Sequence, residues 1–186
     1  MDASLGSLHR LIWIALMAAL MTIGAYAHFP LGPVPISLQV LFVLLSGFIL
    51  GPLGSLAAVG LYILAGCIGL PVFYGGTSGL GHLLGPTGGY IMGFAGAALI
   101  TGLGARRLAA GGVPWVSGLL LALLAYLPIY AFGLLWLKTS LGISWFHALL
   151  TGMLPFLPSD VLQIAGSVAA ARFLWRNQLV PSYAAG

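Results

Sequence analysis

The sequence has very little charge. Only eight of its 186 residues are Asp, Lys or Arg, and Glu does not occur. These eight residues are 4% of the chain, whereas about a quarter of the residues of a soluble domain are charged. Because 61% of the residues are hydrophobic, polar side chains cannot cover the surface of a water-soluble fold. The composition therefore excludes a soluble protein and predicts an integral membrane protein.

Other absences narrow the classes of function. Cys67 is the only cysteine, so no disulfide can form within the chain. No ATP-binding motif and no soluble domain are present, which indicates that the chain does not hydrolyse nucleotide by itself. Strand segments of alternating polarity, typical of outer-membrane barrels, are missing. The net charge of +4 comes from residues beside apolar segments and requires no nucleic-acid partner.

The apolar residues fall into six segments that are candidates for membrane spans, which need about 20 apolar residues. Their predicted bounds are 11–27, 36–50, 53–70, 85–103, 114–137 and 159–175. A further apolar segment, 145–156, is separated from the last span by Pro155 and Pro158, and predicts a short interfacial helix or a kinked start of that span. We expect an all-α integral membrane protein in which residues 1–186 form one compact bundle of six transmembrane helices.

The basic residues predict the orientation of this bundle. Cytoplasmic loops of membrane proteins are enriched in Lys and Arg. With six spans, only Lys138 falls on one side. All the arginines fall on the other side: Arg10, Arg106, Arg107, Arg172 and Arg176. This distribution predicts that both termini lie in the cytoplasm.

Three features are candidates for function. Two uncharged loops rich in Gly and Pro, at 28–39 and 70–90, are predicted on the outer side and are expected to fold over the helix ends as a lid, with ordinary tight turns as the alternative. Asp160 lies at the start of the last span, where an ionisable residue is by default a functional-site hypothesis. The alternative is a capping box, in which Asp160 and Gln163 cap the helix start. Both residues share one helix face, so both can point into one pocket.

Small residues on the first span are the third feature. Ala15 and Ala19 lie four residues apart, a spacing that allows another helix to approach closely. Chance occurrence in an alanine-rich segment is the alternative.

Three motifs together resemble the BioY family, the biotin-specific membrane subunits of energy-coupling-factor (ECF) vitamin transporters. They are Pro33-Val-Pro-Ile-Ser-Leu-Gln39, Gly85-Pro-Thr-Gly-Gly-Tyr-Ile-Met-Gly-Phe94 and Pro158-Ser-Asp160. The resemblance implies a six-helix bundle in the prokaryotic plasma membrane that captures biotin in an outer pocket and is not an enzyme. It also implies partners, a transmembrane coupling subunit and two ATPases, with Ala15 and Ala19 at the coupling interface.

The resemblance also implies ligand-binding residues. The family often carries Asp-x-x-Lys at the start of the last helix, whereas this chain has Gln163 in place of the lysine. Asp160 is then expected to accept the ureido N–H groups of biotin, and the biotin carboxylate must find neutral donors. The candidate biotin-binding residues are Asp160, Gln163, Tyr74, Thr77, Ser78, His82, Gly88, Gly89, Tyr90 and Gln39. No cofactor and no metal are expected.

Rival functions stay open at this point. A related subunit for another vitamin or a metal is the nearest; the metal subunits carry an early histidine, where this chain has Asp2, but His28, His82 and His147 are all predicted on the outer side. A rhomboid-like intramembrane serine protease would use Ser78, within Gly76-Thr-Ser-Gly79, and His147 as its base. A channel is a third rival, without a charge ring or filter loop to support it.

Overall fold

The computed structural model describes residues 2–30, 33–108 and 112–180, and in this part of the chain nearly all regular structure is helical. Two short strands form an antiparallel ribbon, with His28 opposite Ser37 and Phe29 opposite Ile36. The elements are α1 (Asp2–Tyr26), β1 (His28–Phe29), β2 (Ile36–Ser37), α2 (Gln39–Cys67), α3 (Leu80–Leu84), α4 (Gly88–Leu108), α5 (Trp115–Leu141), α6 (Trp145–Gly152) and α7 (Leu157–Arg176), with 3-10 turns at Tyr74–Gly76 and Leu154–Phe156.

The long helix α2 reverses direction in its middle. Gly51 has φ 67° and ψ −176°, a backbone conformation that glycine adopts readily, and Pro52 follows it. The Gln39 Nε2 atom donates to the Tyr62 hydroxyl at 2.5 Å although the residues are 23 apart. Along one straight helix they would be separated by about 35 Å. The two halves, 39–50 and 52–67, therefore run side by side in opposite directions, like the two spans predicted at 36–50 and 53–70.

Five helical stretches of the described chain are long and apolar enough to cross a membrane. These are Gly6–Tyr26, Gln39–Cys67, Gly88–Arg107, Trp115–Leu141 and Trp145–Arg176. Because the second of them reverses at Gly51, the stretches contribute six apolar helical segments to the bundle. The predicted fold class, an all-α membrane protein with a six-helix bundle, is confirmed.

Several helix ends differ from the predicted bounds. α1 begins at Asp2 rather than at 11. A helix can continue through polar residues, which a search for apolar segments leaves out. α4 continues to Leu108, past the predicted end at 103. α5 continues to Leu141 and ends at Gly142, whose φ of 63° suits the left-handed position after a helix. α7 begins at Leu157, which places Pro158 in the first turn, where proline is tolerated.

Glycines let the central helices approach closely. A Cβ atom on Gly47 would lie 1.9 Å from the Thr101 Oγ1 atom, so the first half of α2 packs directly on α4. On the other face of α4, a Cβ on Gly93 would lie 2.6 Å from the Ile129 Cα atom of α5. Such contacts between small residues replace the hydrophobic driving force that is absent between helices in lipid. The result is a tight α2–α4–α5 core.

The two ends of the bundle differ in charge. At the end that contains Gly51, the Arg172 Nη1 atom donates to the Val113 carbonyl at 2.6 Å, and Trp175 donates to the Phe48 carbonyl at 3.1 Å. The opposite end contains both ends of α2, the ribbon and the loop at 68–87. Lys138 lies at that end, with its Nζ atom 5.3 Å from the Trp145 ring.

Candidate functional site

A cavity opens at the end of the bundle away from the arginines. It lies among α2, α4, α5 and α7, below the ribbon and the 3-10 turn. Its apolar wall consists of Val34, Pro35, Val40, Tyr62, Tyr74, Tyr90, Ile91, Phe94, Tyr126, Ile129, Tyr130 and Phe156. The remaining lining residues have polar side chains; they are Ser37, Gln39, His82, Thr87, Asp160 and Gln163. An apolar pocket with a few convergent polar groups is typical of a small-molecule site.

The structure brings six of the ten predicted site residues together on this wall. They are Gln39, Tyr74, His82, Tyr90, Asp160 and Gln163. They come from four separate segments of the chain, so their convergence depends on the fold and not on local sequence.

The other four predicted residues do not line the cavity. Thr77 contacts the site through His82, and Ser78 is exposed in the second loop. Gly88 and Gly89 are buried at the start of α4, where a Cβ on Gly89 would lie 2.4 Å from the Phe132 carbonyl oxygen. These two glycines serve close packing of α4 against its neighbours in this structure.

Within the described part of the chain, Asp160 is the only carboxylate on the cavity wall. It is buried, and its Oδ2 atom accepts a hydrogen bond from the Tyr130 hydroxyl. The capping box proposed as an alternative role does not form, because α7 already begins at Leu157 and no side chain caps its first turn. The carboxylate therefore points across the bundle toward α5 instead of back along its own helix.

Gln163 is tied to the start of α2. Its Oε1 atom accepts the Leu41 backbone N–H at 3.1 Å, one of the first-turn donors that has no partner within a helix. Gln39 makes a second tie at the same place, accepting from Ser37 at 2.9 Å and donating to Tyr62. Together these bonds fix the point where the ribbon enters α2.

His82 holds the second loop against the cavity. Its Nδ1 atom lies 2.9 Å from the Thr77 Oγ1 atom, and its Nε2 atom lies 3.3 Å from the Thr87 Oγ1 atom. The ring stacks on Phe73, with centroids 4.9 Å apart. Burial lowers the pKa of His82, so the imidazole is neutral at pH 7 and one ring nitrogen donates while the other accepts.

The sequence did not predict two tyrosines of α5. Tyr126 and Tyr130 lie one helical turn apart, with ring centroids separated by 5.9 Å. Tyr130 binds Asp160, and Tyr126, only 5% exposed, has a buried hydroxyl with no hydrogen-bond partner. Two tyrosines four residues apart inside an apolar span are a signal that marks one face of the helix as polar.

The geometry does not favour the rival sites. The His147 Nδ1 atom lies 2.9 Å from the Ser144 Oγ atom in α6, whereas Ser78 is exposed in the second loop, so a Ser78–His147 pair is not assembled. The His28 Nδ1 atom lies 3.0 Å from the Tyr26 carbonyl. Within the described residues no three His, Cys, Asp or Glu side chains are grouped as metal ligands.

The chain is similar to proteins of a known family. The model of the BioY family matches residues 1–179. The chain belongs to the BioY family. This BioY-family chain is 38% identical, over 88% of its length and 94% of the relative, to the probable biotin transporter BioY of Pyrococcus horikoshii. It is 37% identical, over 86% of its length and 89% of the relative, to the biotin transporter BioY of Rhodobacter capsulatus.

A solved structure has the same fold. It is a crystal structure of the S-component for biotin from an ECF-type ABC transporter, with a TM-score of 0.87 and 28% identity, and the match covers 97% of each chain. The chain is thus a multi-pass membrane protein of a transporter family, and neither the protease nor the channel is favoured.

Proposed function

We propose that this chain is the substrate-capture subunit for biotin of an ECF-type transporter in the prokaryotic plasma membrane. The observation that carries the proposal is the cavity with a single buried carboxylate, Asp160, at one end of an otherwise uncharged aromatic wall. The names of the relatives and of the solved S-component support the same substrate.

We expect biotin to bind in the cavity in one orientation. Biotin has a fused apolar ring system with a ureido group at one end and an aliphatic chain with a carboxylate at the other. Asp160 accepts ureido N–H groups but repels the ligand carboxylate, because like charges a few ångströms apart in a poorly solvated pocket are strongly unfavourable. The rings pack on the aromatic wall, and the carboxylate lies toward the second loop, where His82, Thr87 and Tyr74 supply neutral polar groups.

The arginines support an orientation with both termini in the cytoplasm and the cavity facing outward. Arg172 is located at the end of the bundle opposite the cavity. A Cβ on Gly51, at the turn of α2, would lie 3.8 Å from the Arg106 side chain, so Arg106 lies at the same end. The positive-inside rule assigns this end to the cytoplasm.

The proposed partners are a transmembrane coupling subunit and two ATPases. Ala15 and Ala19 are exposed on α1. Ala19 also lines a shallow apolar groove between α1 and the second half of α2, together with Ala18, Thr22 and Ala65. A stripe of small residues on an exposed face allows a partner helix to pack at close range. This face is the proposed coupling interface.

Uptake by biotin-auxotrophic cells tests the proposal. Cells that express the chain with a coupling subunit and ATPases are expected to accumulate radiolabelled biotin, and excess unlabelled biotin but not riboflavin should compete. Cells that express the chain alone should bind biotin at their surface to a saturable level. Accumulation that riboflavin suppresses and biotin does not would contradict the assignment of biotin as substrate.

A further inference from the structure

The Tyr126 hydroxyl is an unusual group in this molecule. Among the described residues it is the only buried side-chain polar atom without a hydrogen-bond partner. Three other buried hydroxyls donate to backbone carbonyls: Ser55 to Ala98 at 3.1 Å, Thr101 to Ala97 at 2.9 Å and Tyr90 to Gly152 at 2.8 Å. A buried donor without a partner is destabilising, and phenylalanine would avoid this penalty in the same space. The hydroxyl faces the Asp160 carboxylate without making a well-formed hydrogen bond to it, which leaves the donor available to a ligand.

We propose that Tyr126 binds the ligand directly and, together with Asp160, recognises an N–H group beside a carbonyl, the edge of a cyclic urea. Asp160 accepts the N–H, and Tyr126 donates to the carbonyl oxygen. The inference rests on the proposed function, since the ureido group of biotin presents this edge. It adds a residue that determines specificity within the proposed site.

Tyr126 and Tyr130 have different roles because of their positions on α5. Residues four apart on a helix lie one above the other on the same face, so both side chains point toward α7 from α5. The Tyr130 hydroxyl donates a hydrogen bond to the Oδ2 atom of Asp160 and so fixes the direction of the carboxylate. A carboxylate has a second oxygen, which remains able to accept from a ligand. Tyr126, one turn away on the cavity wall, is then the donor beside that acceptor.

Asp160 and Tyr126 together select a ligand by its hydrogen-bonding groups as well as by its shape. Among the residues that the structure describes, no Lys or Arg lines the cavity, so Asp160 alone would favour a cationic ligand group. In 2-iminobiotin the ureido carbonyl is replaced by an imine, and at pH 7 the resulting guanidinium offers only donors, as the arginine side chain does. It can pair with Asp160 but leaves Tyr126 without an acceptor. Tyr126 therefore improves the affinity for the ureido compound only.

Isothermal titration of the purified full-length protein with both compounds tests this inference. Tyr126→Phe is expected to weaken biotin binding about 5- to 10-fold, as for the loss of one neutral hydrogen bond, and to leave the affinity for 2-iminobiotin at the wild-type value. Tyr90→Phe is the matched control, because it removes a hydroxyl from the same wall whose partner is a backbone carbonyl. It should change both affinities by the same factor.

A second measurement separates ligand contact from structural damage. Because the Tyr126 hydroxyl has no partner in the structure, the Tyr126→Phe protein without ligand should unfold at the same temperature as the wild type or higher. The rise in unfolding temperature on adding biotin should be smaller than in the wild type.

Two results would overturn the inference while leaving the proposed function intact. One is wild-type binding of biotin by Tyr126→Phe, and the other is an equal loss of affinity for both compounds. If the wild-type protein itself does not bind biotin, the proposed function fails, and the inference about Tyr126 fails with it.

Discussion

At the scale of single residues, Asp160 and Gln163 show what a sequence pattern can and cannot predict. Their spacing of three predicts a shared helix face, and both do line the cavity. Their partners come from other elements: Tyr130 for Asp160 and the Leu41 backbone for Gln163. A tertiary partner 30 or 122 residues away has no local signal, which is why sequence reasoning kept a capping role as the alternative for Asp160 and missed Tyr126 and Tyr130.

Gln163→Leu is expected to act mainly on stability. It keeps the side-chain volume but removes the acceptor of the Leu41 N–H, and an unsatisfied buried donor costs about 1–3 kcal/mol. Thermal unfolding in detergent without ligand should therefore show a lower midpoint than the wild type. Gln163→Glu is the matched variant: it keeps an oxygen for the Leu41 N–H but adds a negative charge near Asp160 on the cavity wall, so it should bind biotin more weakly than the wild type.

The opposite pattern for Gln163→Leu would revise the assignment. If its unfolding temperature equals that of the wild type while its biotin affinity drops sharply, then Gln163 is a ligand contact and the Leu41 hydrogen bond is unimportant.

At the scale of elements, the helices follow from hydropathy and their ends from prolines and glycines. Gly51-Pro52 divides one apolar run into the two halves of α2, and Pro155 lies in the 3-10 turn that separates α6 from α7. The β1–β2 ribbon and the five-residue helix α3 were not predicted. Elements this short have no periodicity to detect, because they are held by contacts such as Leu38 N–H to the Gly24 carbonyl at 3.1 Å.

Gly51→Ala tests the reversal in α2. With φ 67° and ψ −176°, Gly51 adopts a conformation that is essentially restricted to glycine and costs another residue about 1–3 kcal/mol, and a Cβ there would meet nothing nearer than Arg106 at 3.8 Å. The substitution should therefore lower the unfolding temperature through backbone strain alone. Gly60→Ala is the control, because Gly60 is inside the second half of α2 and a Cβ there meets nothing within 4 Å.

The two glycines should respond in opposite directions. Alanine favours a helix interior over glycine by about 1 kcal/mol, so Gly60→Ala is expected to be neutral or stabilising. A loss of stability in Gly60→Ala that matches the loss in Gly51→Ala would show that the reversal has no special demand for glycine.

At the scale of the whole molecule, the bundle has an apolar cavity with a few polar groups at one end and arginines at the other. The sequence predicted this polarity from the loops and the basic residues, although it contained no information on how tightly the helices pack. The depth of the cavity depends on side chains from α2, α4, α5 and α7 that meet only in the folded chain.

Labelling of single cysteines tests the orientation of the bundle. In a Cys67→Ser background, Ser78→Cys is placed in the exposed second loop near the cavity, and Asn177→Cys follows the end of α7 on an exposed position. A membrane-impermeant maleimide should modify Ser78→Cys in intact cells and Asn177→Cys only after the cells are opened. The reverse pattern would place the cavity on the cytoplasmic side.

The most direct test of the account is equilibrium binding of biotin to the detergent-purified protein, with Asp160→Ala measured beside it. The wild type is expected to bind biotin and desthiobiotin, which share the ureido group. Loss of a charge-assisted hydrogen bond should weaken both in Asp160→Ala by about 10- to 100-fold. A folded wild-type protein that does not bind biotin, or an Asp160→Ala protein that binds it as tightly as the wild type, would contradict the central claim that this carboxylate captures the ureido group.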